Sequence, residues 1–442
     1  MISSLVAIYV YWMHPKVYSY EYNTYCLIHF FIATIFFFKY KKKKNYFDFD
    51  TIFLIAYFFT FFMYPVFIYP VDPYYFFIFN YGFNENVISQ STALSLLGSQ
   101  MYMFGSITYG RRKMKKTFLH YYPVNSFIIC SILFFLLFIF FGGYSYYKDL
   151  YAGNITTQDI KNSGLAYMNM LFWIFLLVAL SLEFNKMLCL DRNKFQLSNV
   201  NKVLLIFIVI YIPLLLSTGT RGVSMQTLLI ILGLYSFYYK PVSLKKMIPL
   251  VCLGTLGMFF ISSTRGGGTF RIQSFMDMFM DLVINNRNTF VAVDYVQEHG
   301  VSYGVSMLGY ILRTIPFAQG IVFRLFDVNP NETSSAMLLT VETLGENPSF
   351  GVGTNIIADL YLAFGAVGVI VFMFLGGYFV SMVQSNAESF RLNYIVMYAI
   401  LLSLSIYTVR AEFFFSLYLL AWTAFILYFI KRCYIRKKEL YA

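Results

Sequence analysis

Apolar runs, most of them about 15 to 20 residues long, recur along the whole chain with polar breaks between them. Runs of that length can span a bilayer as helices. Hydrophobic residues make up 59% of the chain and charged residues only 12%, about half the charged share of a soluble domain. A soluble fold is therefore excluded. The runs predict spans near 1–13, 22–38, 51–70, 91–109, 124–141, 165–182, 203–217, 224–239, 247–262, 355–382, 394–409 and 412–430. The expected fold class is an all-α polytopic membrane protein of about 12 transmembrane helices, with residues 1–442 as one integral membrane domain. The first run is short; no basic region precedes it and no small-residue cleavage site follows, so it reads as an uncleaved span.

Basic residues orient the spans. Placing segments 39–50, 110–123, 183–202, 240–246, 383–393 and 431–442 inside puts 23 of the 33 Lys and Arg residues in the cytoplasm, together with both termini. The rest lie outside: Lys16, Lys148, Lys161, Arg221, Arg265, Arg271, Arg287, Arg313, Arg324 and Arg410. The net charge of +12 is then mostly topology signal, aided by anionic lipid headgroups, and requires no nucleic acid. Between Lys246 and Lys431 the chain has arginines but no lysine. Positive-inside bias explains lysine within, but not a choice of arginine without. None of the five cysteines falls in an outer loop, so no disulfide framework is expected.

Most loops are short. The exception is a large outer loop over 263–354, between the ninth and tenth spans. Its apolar pairs at 275/276, 279/280 and 283/284 predict an amphipathic helix over Ile272–Ile284, and Val305–Ile315 reads as another, stopped by Pro316. Such pieces are expected at the membrane interface, over the mouth of the bundle.

Two outer turns share one pattern, a hydroxyl residue, then Arg, then Gly: Ser217-Thr218-Gly219-Thr220-Arg221-Gly222 and Ser262-Ser263-Thr264-Arg265-Gly266-Gly267-Gly268. Glycine lets backbone N–H groups approach a ligand, hydroxyls add donors, and arginine supplies a planar fork, which together suit a pyrophosphate at the membrane surface. Arginines also end spans by snorkelling. Val409-Arg410-Ala411-Glu412, in the turn between the last two spans, offers either a local ion pair or a further arm on the same anion. Of the loop acids, Glu342 and Asp359 are best placed; Asp359 stands in apolar sequence, where an ionisable group defaults to a functional role. The histidines have no metal-ligand spacing and there is no Walker-type loop, so neither a metal, a nucleotide nor any other cofactor is expected. Asp48-Phe49-Asp50, after a lysine run, reads as a solvated cytoplasmic loop.

Asn347-Pro348-Ser349-Phe350-Gly351-Val352-Gly353-Thr354, followed by Asp359-Leu360-Tyr361-Leu362-Ala363-Phe364-Gly365-Ala366-Val367-Gly368, resembles the O-antigen polymerase (Wzy) family of oligosaccharide repeat-unit polymerases. Those proteins often show a Gly-x-Gly, an acid before a Tyr, and Phe-Gly-x-x-Gly entering a late span. The resemblance covers roughly 200–430. Related ligases use a histidine in their large loop, where this chain has only His299.

The resemblance implies a GT-C-like, metal-independent glycosyltransferase of the bacterial inner membrane, active on its periplasmic side. Its substrate would be an oligosaccharide linked to undecaprenyl pyrophosphate, its surroundings membrane lipid, and a chain-length regulator a candidate partner. Arg221, Arg265 and Arg410, with Gly266 and Gly267, would stabilise charge on the departing pyrophosphate. Arg271, Arg287, Arg313, Arg324 and Tyr361 form a second tier for headgroup or glycan. Either Glu342 or Asp359 would take the proton of the attacking sugar hydroxyl. A secondary transporter, a lipid-linked oligosaccharide flippase and an O-antigen ligase are the competing readings.

Overall fold

The computed structural model describes residues 2–110, 122–152, 163–263, 277, 279–348 and 350–440. Among the described residues there are helices and turns and no strand. A helix covers each predicted apolar run, with further helices in the outer segments. In chain order they are α1 (Ile2–Trp12), α2 (Tyr20–Tyr40), α3 (Phe49–Phe61), α4 (Ile88–Tyr109), α5 (Asn125–Phe140) and α6 (Gly143–Ala152). Next come α7 (Ser163–Leu190), α8 (Lys202–Ser217), α9 (Gly222–Tyr238) and α10 (Leu244–Ser263). The large loop holds α11 (Met280–Val283), α12 (Asn286–His299), α13 (Leu308–Leu312), α14 (Ala318–Leu325) and α15 (Ser335–Leu344). The chain closes with α16 (Ile356–Ala387), α17 (Leu392–Leu404) and α18 (Leu417–Leu440).

Two helices, over Gly164–Leu190 and Ile356–Ala387, are each long and apolar enough to cross a membrane, and α5 with α6 makes a third if their 64° bend is one broken span. These mark an integral membrane protein. Several other helices are too short to cross unaided. α4 is long enough but rich in Ser and Gln; it runs through the middle of the bundle, where its polar groups meet protein. Side-chain oxygens start the helices: Ser19 for α2, Asp48 for α3, Asn201 for α8, Ser334 for α15 and Asn355 for α16 each accept a first-turn N–H.

α4 and α16 form the most extensive helix pair, with α1 and α2 packed on α4 and α12 on α16. Small residues make this possible. A methyl group on Gly105 would overlap the Phe374 carbonyl, and one on Gly377 would overlap the Tyr102 carbonyl, so the two backbones touch. α16 is not one rod. It breaks at Phe364 and Gly365, where Gly365 has φ +64, a conformation glycine adopts readily. The break frees the Leu362 carbonyl, and Ser302 N–H of the large loop donates to it at 2.8 Å. The Phe-Gly-x-x-Gly motif is thus a break within the span and not its entrance.

Two loop expectations change. The helix expected over 272–284 lies partly outside the described residues; of the described part, 277 and 279–284, Met280–Val283 form α11. Val305–Ile315 is a 3-10 turn, Val305–Met307, followed by α13. Asp48-Phe49-Asp50 is no solvated loop: Asp50 is fully buried, paired with Lys41 at 2.9 Å and accepting from Tyr102 at 2.5 Å, while Asp48 pairs with Lys43 at 2.7 Å. Burying an acid beside the end of α2 gives the lysine run internal partners.

The glycine contact predicts that Gly105→Leu and Gly377→Leu each lose at least the about 1–3 kcal/mol typical of overpacking. Gly254→Ala, in open space on α10, serves as the neutral control. Recovery of monodisperse protein in detergent should drop for the first two alone; equal recovery of all three would mean the backbones do not touch.

Candidate active site

The loop is fastened to α16 by a buried polar knot. Asn285, Asn286, Arg287, Asn288 and Thr289 are consecutive and all buried. Asn355, the cap of α16, donates to the Asn285 carbonyl at 2.7 Å and the Thr289 hydroxyl at 2.9 Å. Asn288 donates to the Val352 carbonyl at 3.1 Å. The Arg287 fork reaches three acceptors, the Tyr81 carbonyl (3.1 Å), the Gly82 carbonyl (2.9 Å) and the Thr343 hydroxyl (2.9 Å). Burial lowers the Arg287 pKa to about 10, so it stays charged at neutral pH. Arg287 therefore serves the frame, joining the segment before α4 to α15.

The knot sets the first turn of α16, and with it Asp359. This residue has no exposed surface. Its Oδ2 accepts from the Phe413 N–H at 2.9 Å, whereas Oδ1 makes no hydrogen bond among the described residues. The neighbouring Ser335 hydroxyl donates to Thr354 at 3.1 Å. Beside Asp359 lies Glu412, 5% exposed, which accepts from the Ser334 hydroxyl at 3.0 Å and has Tyr310 as a neighbour. Among the described residues neither carboxylate forms an ion pair. Phe413, whose N–H Asp359 accepts, is the residue after Glu412, so the fold brings the two acids into one neighbourhood. Burial pushes the Glu412 carboxyl above the ordinary glutamate range, against hydrogen bonds that hold it down.

Next to these acids the Arg313 guanidinium lies over the Tyr418 ring, 4.9 Å from its centroid, and more loosely over Tyr310 at 5.9 Å. A cavity of about 360 Å³ opens between the α5–α6 bend, α7, α9 and the start of α18. Among the described residues its walls carry Tyr146, Tyr147, Trp173 and Tyr418, the amides of Asn169 and Gln226, and one charged residue, Arg313. The lining comes from the last turns of α5 and α17 and the first turns of α9 and α18, so the cavity sits at the end of the bundle that carries the large loop.

Arg221 is at this end too, at the start of α9, paired with Asp281 of α11 at 3.1 Å. The hydroxyls of its turn are partly spent within it: Thr218 donates to the Leu215 carbonyl at 2.7 Å. Arg410 lies over Tyr407 at 5.8 Å, and the Tyr407 hydroxyl reaches Gly222, where a methyl group would stand 2.9 Å from it. One tyrosine thus bridges the two arginine turns. Arg410 does not pair with Glu412 among the described residues. Arg265, Gly266, Gly267 and Arg271 lie outside the described residues. Glu342 is exposed on α15 and its charge acts on Tyr295. Arg324 is exposed on α14, Tyr361 is buried against Tyr11 of α1, and His299 is exposed and stacked on Tyr295 at 4.5 Å. Sequence reasoning missed Glu412 as a partner of Asp359, together with Tyr310 and Ser334. The available signal was an acid in a very short turn between apolar runs.

Fold and site define an all-helical integral membrane protein with carboxylates, arginines and an aromatic cavity gathered at one end. The sequence model of the family O-antigen polysaccharide polymerase Wzy matches residues 1–438, and the chain belongs to that family. The likeness expected over 200–430 thus extends over nearly the whole chain. Membership makes it a polymerising glycosyltransferase-type enzyme acting on lipid-linked oligosaccharide repeat units in the membrane. No curated protein and no solved structure matches it.

Two stability predictions follow from the buried groups. Arg287→Met strands two carbonyls and a hydroxyl, at about 1–3 kcal/mol for each buried group left unpaired. The melting temperature of detergent-purified protein should fall, with Arg287→Lys recovering only part because an ammonium lacks the fork. An unchanged melting temperature would remove Arg287 from the frame. Glu412 has a raised pKa, so the folded protein keeps a proton that the unfolded chain releases. Its contribution to stability falls as pH rises from the ordinary glutamate value through the raised one. Glu412→Gln should therefore gain on the wild type in melting temperature across that window, and a difference independent of pH would contradict the shift.

Proposed function

We propose that this chain joins undecaprenyl-pyrophosphate-linked repeat units on the periplasmic side of the bacterial inner membrane, with Asp359 and Glu412 as its proton-accepting centre. The frame would be a GT-C-like bundle of about 12 spans with both termini cytoplasmic, as the basic-residue pattern favours. The observation that carries the reading is a buried, cation-free carboxylate pair beside an arginine-edged aromatic cavity. In the reaction, a sugar hydroxyl of one unit attacks the anomeric carbon of the other. A new glycosidic C–O bond forms as the bond to the lipid pyrophosphate breaks, the hydroxyl proton passes to the carboxylates, and pyrophosphate leaves with the electron pair. Negative charge grows on that leaving group. Arg221 and Arg410, joined through Tyr407, are placed to share it with Arg313; the sequence adds Arg265 with Gly266 and Gly267. Of the two acids in question, Asp359 is the base in this proposal, because it is buried beside a second carboxylate and Glu342 is exposed.

Deleting the gene and separating surface polysaccharide on a gel tests this. Single repeat units capped on core are expected; complete absence of product would favour a flippase or ligase, and an unchanged ladder would sink the proposal. Asp359→Asn should reproduce the deletion, since a lost general base costs about 10²–10⁴-fold. Arg221→Lys and Arg410→Lys keep the charge but lose the fork, and should shorten the ladder. Full-length ladders from both would reduce these arginines to membrane anchors.

A further inference from the structure

We infer that the cavity under the α5–α6 bend is a saccharide subsite, holding the sugar next to the phosphate of a lipid-linked unit, with the phosphoryl group at Arg313. This rests on the proposed transferase reading and deepens it by naming what the cavity takes. Three observations converge. The walls offer flat aromatic faces, Tyr146, Tyr147 and Trp173, together with amides from two different helices, Asn169 of α7 and Gln226 of α9. A lipid tail needs no amide, whereas a sugar presents both an apolar C–H face and hydroxyls. The Asn169 amide is held in place by donating to the Tyr147 hydroxyl at 3.0 Å, which leaves its carbonyl oxygen to accept, and Gln226 makes no hydrogen bond among the described residues.

The third observation is the charge. Among the described residues Arg313 is the one charged member of the lining, and its guanidinium makes no ion pair with any of them. Stacking on Tyr418 holds the plane while its N–H edge stays available, the arrangement that suits a phosphoryl oxygen. No acid among the described residues lines the cavity. Its ligand is thus neutral at one end and anionic at the other, as a sugar attached to a phosphate is. At about 360 Å³ the space lies at the small end of ligand pockets and takes a short saccharide, not a polymer. Tyr310, between Arg313 and Glu412, then separates the phosphate from the acids.

Trp173 lies in the wall and can report occupancy by fluorescence. Replacing Trp12 and Trp422 by Phe leaves it the sole tryptophan, and a normal ladder in cells verifies that this protein is intact. The probes are the lipid-linked units extracted from cells lacking this gene, the same oligosaccharide released by mild acid, and undecaprenyl phosphate without sugar. Saturable quenching by the lipid-linked units, weaker quenching by the released oligosaccharide and none by undecaprenyl phosphate is the expected pattern. Asn169→Leu with Gln226→Leu should weaken both sugar-bearing probes at least tenfold. Arg313→Gln should weaken only the lipid-linked one, bringing it to the level of the free oligosaccharide. Equal quenching by undecaprenyl phosphate would make the cavity a tail site, and no quenching by any probe would empty it of substrate; either overturns the inference. A deletion strain that still accumulates single repeat units would leave the polymerase reading standing in both cases.

Discussion

The contact between α4 and α16 is the constraint on which the rest depends. With no hydrophobic driving force between helices inside a bilayer, association rests on close packing and on hydrogen bonds. Gly105 and Gly377 let two backbones meet, and the hydroxyls and amides of α4 are satisfied or enclosed by the helices around it. This contact fixes the long half of α16, beyond its break. The short half, from Ile356 to Ala363, leaves the long axis; Ile357 still packs on Gly98 of α4, and the large loop holds the segment through the Asn355 cap and the Ser302 donor. Asp359 lies in that half. A broken helix in a membrane protein needs its open backbone groups filled by protein, and the loop that fills them also carries Tyr310 and Arg313.

Two arginines of the same loop show how burial decides use. Arg287 is enclosed, and all three of its acceptors come from the protein itself, so it ties three segments together and is shut away from a ligand. Arg313 has rings as neighbours and, among the described residues, no carboxylate partner, so its donors remain. Arg221 is intermediate, paired with an acid that is itself partly exposed, and such a pair can be opened by a more highly charged anion.

Much of this was legible in the sequence, and the remainder has physical causes. Each apolar run became a helix because nothing else satisfies its backbone away from water. Asp359 was singled out because an acid in apolar sequence is costly unless used. Arg287 and Arg313 could not be told apart, since both are lone arginines in a loop and only the fold says which one meets carbonyls. The run from Asn285 to Thr289 carries no apolar residue; it became a core because the side chains of Asn286, Arg287, Asn288 and Thr289 found partners on other segments. Phe364-Gly365 could be found as a motif but not as a break, because the same residues fit the entrance of a helix. Glu412 was hidden by its neighbour: an acid two residues from Arg410 suggests a local pair, and the pairing across 53 positions of chain is invisible without the fold.

Among the described residues Glu412 pairs with no arginine, and that has a chemical reason in a site of this kind. A carboxylate in contact with a guanidinium holds its charge more easily and becomes a poorer base, while the arginine loses attraction for an incoming anion. Direct pairing would disable both partners. Here Tyr310 stands between them, next to Glu412 on one side and with the Arg313 cation over its ring on the other. The tyrosine keeps the two within one site without letting them neutralise each other. A leaving group bearing several negative charges would draw Arg313 outward, away from the ring. The acids would then keep their proton affinity through the step in which a sugar hydroxyl must lose its proton. Base strength and anion affinity, which oppose each other when acid and arginine touch, can in this arrangement both be high.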